Sequence, residues 1–183
     1  MRTPIRAAFA ALFLIFSGTA VAEPLKITVT PPSKERNYDR WWVLQLRCMA
    51  DVVYTEARGE DDYAKSMVAH VVMRRIRENR PEWPQTPCGN VYKVKVKKNG
   101  ELVSQFSGPV HKPVRVSDVD LVYQHSVQVA VRVMLRYWQP RPEHACAIAY
   151  QNKKIASQDR QGWFMTLKPI GDIGEHAFYC LPT

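Results

Sequence analysis

The sequence predicts an α+β fold, a predominantly helical lobe joined to a small lobe of β-hairpin and sheet. Three observations predict it. Apolar residues recur at helical spacing in three long segments, an Asn99-Gly100 turn lies inside an alternating stretch, and a short, strongly apolar run follows near the C-terminus. A chain of 183 residues with 46% hydrophobic content suits one domain with a core of its own.

The first helix is expected over 40–58, with Asp39 as N-cap. Trp42, Leu46, Met49 and Val53 recur at steps of four, three and four and make one apolar stripe. The next position of that stripe is Glu56, and Gly59 ends the helix. The second helix runs over 61–79, with Ala64, Met67, Val68, Val71, Val72 and Ile76 facing inward. Pro81, Pro84 and Pro87 then form a loop. Residues 90–106 alternate apolar and charged around Asn99-Gly100, the strongest short-range hairpin signal. The basic face of Lys93, Lys95, Lys97 and Lys98 reads as solvated. A third helix is expected from an N-cap at Ser117, with Val122, Ser126, Val129, Ala130, Val133 and Tyr137 inward, until Pro140 and Pro142 stop it. Ala145 to Tyr150 reads as a buried strand.

The N-terminus carries Arg2 and Arg6, an apolar run over 7–16 and small residues at Ala20 and Ala22. That is the pattern of a secretory signal peptide over 1–22, followed by a proline-interrupted connector over 23–38 and a domain over 39–183. The apolar run is shorter than the roughly 20 residues that span a bilayer, so no membrane anchor is expected after cleavage. Removing Arg2 and Arg6 leaves 24 basic against 17 acidic residues, a net charge of about +7. Such a charge suits an anionic polymer, cell wall or nucleic acid. A nucleic-acid binder is disfavoured by the export signal and by the lack of aromatic and basic residues interleaved on one face. Cys48, Cys88, Cys146 and Cys180 form no C-x-x-C pair; in an exported chain they predict two disulfides, in any of three connectivities. The five histidines show no metal-ligand spacing.

A carboxyl group at the end of an apolar stripe admits two readings. Burial raises its pKa, so Glu56 can hold a proton near neutral pH and serve as a general acid. Alternatively it is a carboxylate paired with Arg58 or Arg75.

The chain resembles the SleB/CwlJ family of cell wall hydrolases. Val53-Tyr54-Thr55-Glu56-Ala57-Arg58-Gly59-Glu60 is similar to the family's V-Y-x-E-A-R-G-E signature. Ala69 to Ile76 is similar to A-x-V-V-x-N-R-V, with Arg74 where Asn is common. Cys88-Gly89-Asn90-Val91-Tyr92, Gln105-Phe106-Ser107, Ala149-Tyr150-Gln151-Asn152, Trp163 and the Ile173-to-Tyr179 ending follow in order. The hairpin at Asn99-Gly100 is an insertion between two of these landmarks.

The resemblance implies a lysozyme-like catalytic domain with one essential glutamate that acts on peptidoglycan glycan strands; no cofactor is expected, and the histidine spacing predicts no metal. Glu56 would be the catalytic acid for the β-1,4 bond between N-acetylmuramic acid and N-acetylglucosamine. In a lytic transglycosylase it would protonate the leaving oxygen, then take a proton from the muramyl 6-hydroxyl as the 1,6-anhydro ring closes. A hydrolytic muramidase would need a second carboxylate, for which Glu60, Asp61 and Asp62 are nearest. Gly59 argues against Glu60 sharing the helix face, so transglycosylation is the preferred expectation. Gln105, Tyr150, Glu60 and Trp163 are candidate substrate-binding residues, His176 reads as structural, and Trp41 and Trp138 are further aromatic candidates. A non-catalytic wall-binding protein on the same fold is the rival reading. The expected location is the periplasm or cell envelope.

Overall fold

The computed structural model describes residues 37–96, 100, 102–106, 120–158 and 162–182. The expected signal peptide, the connector up to residue 36, Asn99, Ser107, the loop over 111–116 and Ser117 lie outside the described residues. The elements run α1 (Asn37–Ala57), α2 (Asp62–Glu78), α3 (Pro87–Val91), β1 (Val94–Val96), β2 (Leu102–Ser104), α4 (Leu121–Met134), β3 (Ala149–Asn152), α5 (Lys153–Gln158), β4 (Lys168–Ile173) and β5 (His176–Cys180). Helices plus a small antiparallel sheet make this an α+β fold.

The apolar stripes of α1, α2 and α4 meet in one core. Met49 and Val53 pack with Val68 and Val72 and with Val129 and Val133, all essentially buried. Each such side chain contributes about 1.5–3 kcal/mol over its exposed state. Side-chain caps set the helix ends. Asp61 accepts from Ala64 N at 2.8 Å and starts α2. Asn79 closes α2 in the left-handed region at φ 49°, which asparagine tolerates.

Five boundaries differ from expectation. Helix α1 begins at Asn37, so Asp39 lies in its first turn and does not cap it, and α4 ends at Met134 and not at Pro140. Asp120, not Ser117, caps α4, accepting from Tyr123 N at 3.0 Å. Residues 87–91 form helix where the end of a loop and the first residues of the hairpin were expected, because Pro87 at the first turn and the Thr86 hydroxyl on Gly89 N nucleate it. The apolar run from Ala145 reaches sheet only at Ala149, since a 3₁₀ turn over Pro142–His144 precedes it.

The hairpin pairing itself is present. Val94 to Val96 face Ser104 to Leu102 antiparallel, and Gly100 has φ 80°. The second sheet has strand order β3-β5-β4, all antiparallel, with β5 central and buried along its length. Phe178 on one face packs on Ala64, Met67 and Val71 of α2. Ala177 and Tyr179 on the other face pack with Trp83 and Leu167. The cysteines pair Cys48–Cys88, tying α1 to α3, and Cys146–Cys180, tying the approach to β3 to the end of β5. Their separations of 40 and 34 residues correspond to about 3–4 kcal/mol each of denatured-state entropy.

Candidate active site

Glu56 lies in the last turn of α1 and is half-buried, with its Oε1 atom shut off from solvent. Its stripe brings it to the seam between the helical core and β3. There it meets Tyr150, whose strand position opposite Phe178 turns its ring toward the helices. The Tyr150 ring stands edge-on to His176 at 4.9 Å and tilts against Phe178 at 5.5 Å and Phe106 at 6.1 Å. Burial holds the Tyr150 phenol well above its usual range. The Glu56 charge pushes the same way, and Arg75 opposes.

Arg75 organises the rest. It lies on the face of α2 that carries Ala64, Val68 and Val71, and it is only 5% exposed. Its Nε donates to Ile148 O at 2.7 Å and its Nη1 to Gln105 Oε1 at 2.9 Å. Its guanidinium lies over the Phe106 ring at 5.2 Å. Burial lowers its pKa to about 10, which leaves it charged at neutral pH. One cation thereby fixes the approach to β3 and the orientation of the Gln105 amide together. The sequence named Arg75 only as a possible partner for Glu56. The legible signal was an arginine at a core position of the α2 stripe.

Of the other candidates, Glu60 is engaged elsewhere. Its Oε1 accepts from Glu175 N at 3.1 Å at the β4–β5 turn. Gly174 sits in that turn at φ 58°, where a Cβ would collide with the Glu60 carboxylate. Trp163 is part-exposed and packs on Phe164, whose ring meets Tyr179. That is the face of the sheet opposite Tyr150. His176 is buried, with its pKa lowered by burial against the opposing pull of Glu60 and Glu175. Tyr150 thus links Glu56, His176 and the Arg75–Gln105 pair, while Glu60 serves the hairpin turn beside His176 and Trp163 lies on the far face.

Nearby acids are also engaged. Asp51, 2% exposed, accepts from Tyr92 at 2.5 Å and from Tyr123 at 2.8 Å. Asp61 caps α2, and Asp62 meets His125 Nε2 at 2.9 Å. Among the described residues no group of three His, Cys, Asp or Glu side chains is placed to hold a metal ion. No helix among them is long and apolar enough to cross a membrane.

No curated protein matches the chain. Among solved structures, the catalytic domain of the Bacillus cereus SleB protein is similar at 21% identity, covering 74% of this chain and 88% of that one with a TM-score of 0.48. The family model described as Cell Wall Hydrolase matches residues 59–179. That span begins three residues beyond Glu56 and contains Arg75, Gln105, Tyr150 and His176. Because the match extends over well more than half of its length, the chain belongs to the cell wall hydrolase family.

Proposed function

We propose that this protein is an exported lytic transglycosylase that cuts the N-acetylmuramic acid–N-acetylglucosamine bond of peptidoglycan, with Glu56 as its acid and then its base. The observation that carries the reading is the half-buried Glu56 carboxyl group facing the Tyr150 phenol, while Asp51, Glu60, Asp61 and Asp62 each hold another part of the fold.

The chemistry follows from one carboxyl group. Protonated Glu56 gives its proton to the glycosidic oxygen as the bond from C1 breaks, leaving positive charge on the muramyl ring. The Glu56 carboxylate then takes the proton of the 6-hydroxyl as O6 bonds to C1. The product is a 1,6-anhydro end, no water is consumed, and Glu56 returns to its acid form. The Tyr150 phenol, held protonated, is suited to donate a hydrogen bond to the carboxylate at the charged stage. Gln105, oriented by Arg75, is suited to hold a substrate N-acetyl or hydroxyl group through its amide nitrogen. Export is supported by the signal-like N-terminus and by two disulfides, which persist in oxidising compartments.

Digestion of purified sacculi by wild type and Glu56→Gln, with mass spectrometry of the ends, tests the reading. Anhydro-muramyl ends from wild type and none from Glu56→Gln are expected. Reducing muramyl ends would replace the transglycosylase with a muramidase. Full activity in Glu56→Gln would remove Glu56 from the mechanism, and inactive wild type would favour a wall-binding protein.

A further inference from the structure

A cavity of about 400 Å³ lies outside the Glu56 group, a volume within the range of small-ligand sites. Asp62, Tyr63 and Ser66 of α2 line one side; Tyr137, Trp138 and Gln139, beyond α4, line the other. Ser66 and Arg75 are nine residues apart on α2, about half a revolution around the helix at 3.6 residues per turn. The cavity therefore opens on the side of α2 turned away from Arg75 and the residues it organises.

The wall beyond α4 is set by the cap that ends the helix. The stripe continued into Tyr137 would be buried, yet α4 ends at Met134 and Arg136 takes a left-handed φ of 62° without being glycine. The N–H groups of Tyr137 and Trp138 both donate to Arg132 O, at 2.8 and 3.2 Å. This turn leaves Tyr137 76% exposed at the cavity wall. Together with the Arg136 N–H on Val133 O at 3.0 Å, the bonds to Arg132 O form the paired cap that commonly ends a helix.

The other rings are fixed. Arg132 lies over Trp138 at 4.6 Å and Arg141 over Tyr63 at 4.7 Å, while the Tyr63 hydroxyl meets His144 Nδ1 at 2.7 Å. Aromatic surface thus stands beside the acceptor oxygens that Asp62 and Gln139 keep after Asp62 Oδ1 meets His125 and Gln139 Nε2 donates to Arg136 O, while buried Ser66 donates to Tyr63 O and Arg132 and Arg141 lie on the flanking rings. A pyranose ring presents the matching chemistry: an apolar C–H face for an aromatic ring and hydroxyl and amide groups along its edge. The arginines suit carboxylates carried by the same polymer.

We infer that this cavity is a second glycan-binding site, taking an N-acetylated sugar of an acidic glycan strand on the side of α2 away from Glu56. The choice of a wall glycan as the polymer rests on the proposed strand-cutting activity; the sugar-like chemistry of the cavity does not.

Sedimentation of the exported chain with insoluble sacculi tests the inference in a Glu56→Gln background, which keeps the strands intact. Adding Tyr137→Ala is expected to weaken binding about tenfold, equivalent to about 1.4 kcal/mol, while Tyr137→Phe retains it. Equal binding by the Ala and Phe variants would overturn the site. In parallel, a trimer of N-acetylglucosamine is titrated into wild type by NMR. Shifts at the amides of Tyr137, Trp138 and Gln139 are expected, and shifts confined to Gln105, Phe106 and Tyr150 would overturn it. If Glu56→Gln proves fully active, the strand-cutting mechanism fails, whereas the NMR result still judges the cavity by itself.

Discussion

The phenol of Tyr150 faces the carboxyl group of Glu56, joining the end of α1 to an edge strand of the three-stranded sheet. The two residues are far apart in sequence, and each is held by its own packing: Glu56 by the α1 stripe, Tyr150 by Phe106, His176 and Phe178. Tyr150→Phe removes the hydroxyl and keeps the ring. Stability is expected to change by about 1 kcal/mol or less, while kcat for glycan cutting falls about tenfold or more with KM little altered. Wild-type kcat in steady-state digestion would leave the phenol as packing alone.

Arg75→Met tests the cation that spans Ile148 O and Gln105. Methionine fills the space but leaves a buried carbonyl without its donor and lets the Gln105 amide turn. Urea denaturation is expected to show a loss of about 2–4 kcal/mol. Arg75→Lys should recover only part of it, because an ammonium group lacks the guanidinium fork.

Asp51 joins α1 to Tyr92 and Tyr123, one from each side of the helical core. Burial and the Asp51 carboxylate together hold both phenols well above their usual range. Asp51→Ala takes away both acceptors, and a loss of about 2–4 kcal/mol is expected in chemical denaturation. Alkaline titration followed by phenolate absorbance should find two tyrosines ionising earlier in Asp51→Asn, which keeps the shape but loses the charge.

His70 gives the fold an acid-side dependence. The ring is 4% exposed, and its pKa is lowered to about 4, chiefly by burial, then by the Arg77 charge, with the Trp138 backbone opposing. The unfolded chain takes up this proton near pH 6.5, whereas the folded chain does so only near 4. Stability from this group is therefore complete above about pH 6.5 and is lost as pH falls toward 4, by up to about 3 kcal/mol. Denaturation at pH 7.5 and pH 4.5 should show a smaller difference for His70→Leu than for wild type.

Much of this was readable along the chain because it depends on neighbours a few residues away. The spacing of Met49 and Val53 predicted the α1 stripe, and Glu56 stood out as a carboxyl group on it. The α2 limits were legible in Asp61 and Asn79, since capping is local chemistry. Local signals also misled where two of them competed. Ser117 and Asp120 both offer an N-cap, and Asp120 takes the role, with the Tyr54 hydroxyl on its carboxylate at 3.0 Å across 66 residues. Tyr137 continued the α4 stripe on paper, but the left-handed Arg136 ends that periodicity and turns the ring outward.

By itself the sequence determined the α+β class, the three core helices, the presence of a β1–β2 hairpin and the candidacy of Glu56, because each is written in periodicity, capping or turn chemistry. Tertiary structure alone decided the Cys48–Cys88 and Cys146–Cys180 pairing, the meeting of Glu56 and Arg75 at Tyr150 with Gln105 held by Arg75, the diversion of Glu60 to the β4–β5 turn and the placing of Trp163 across the sheet. The physical reason is range. A cap or stripe is satisfied within a turn or two of helix, whereas the partner of a buried arginine or cysteine is set by which distant elements pack against it.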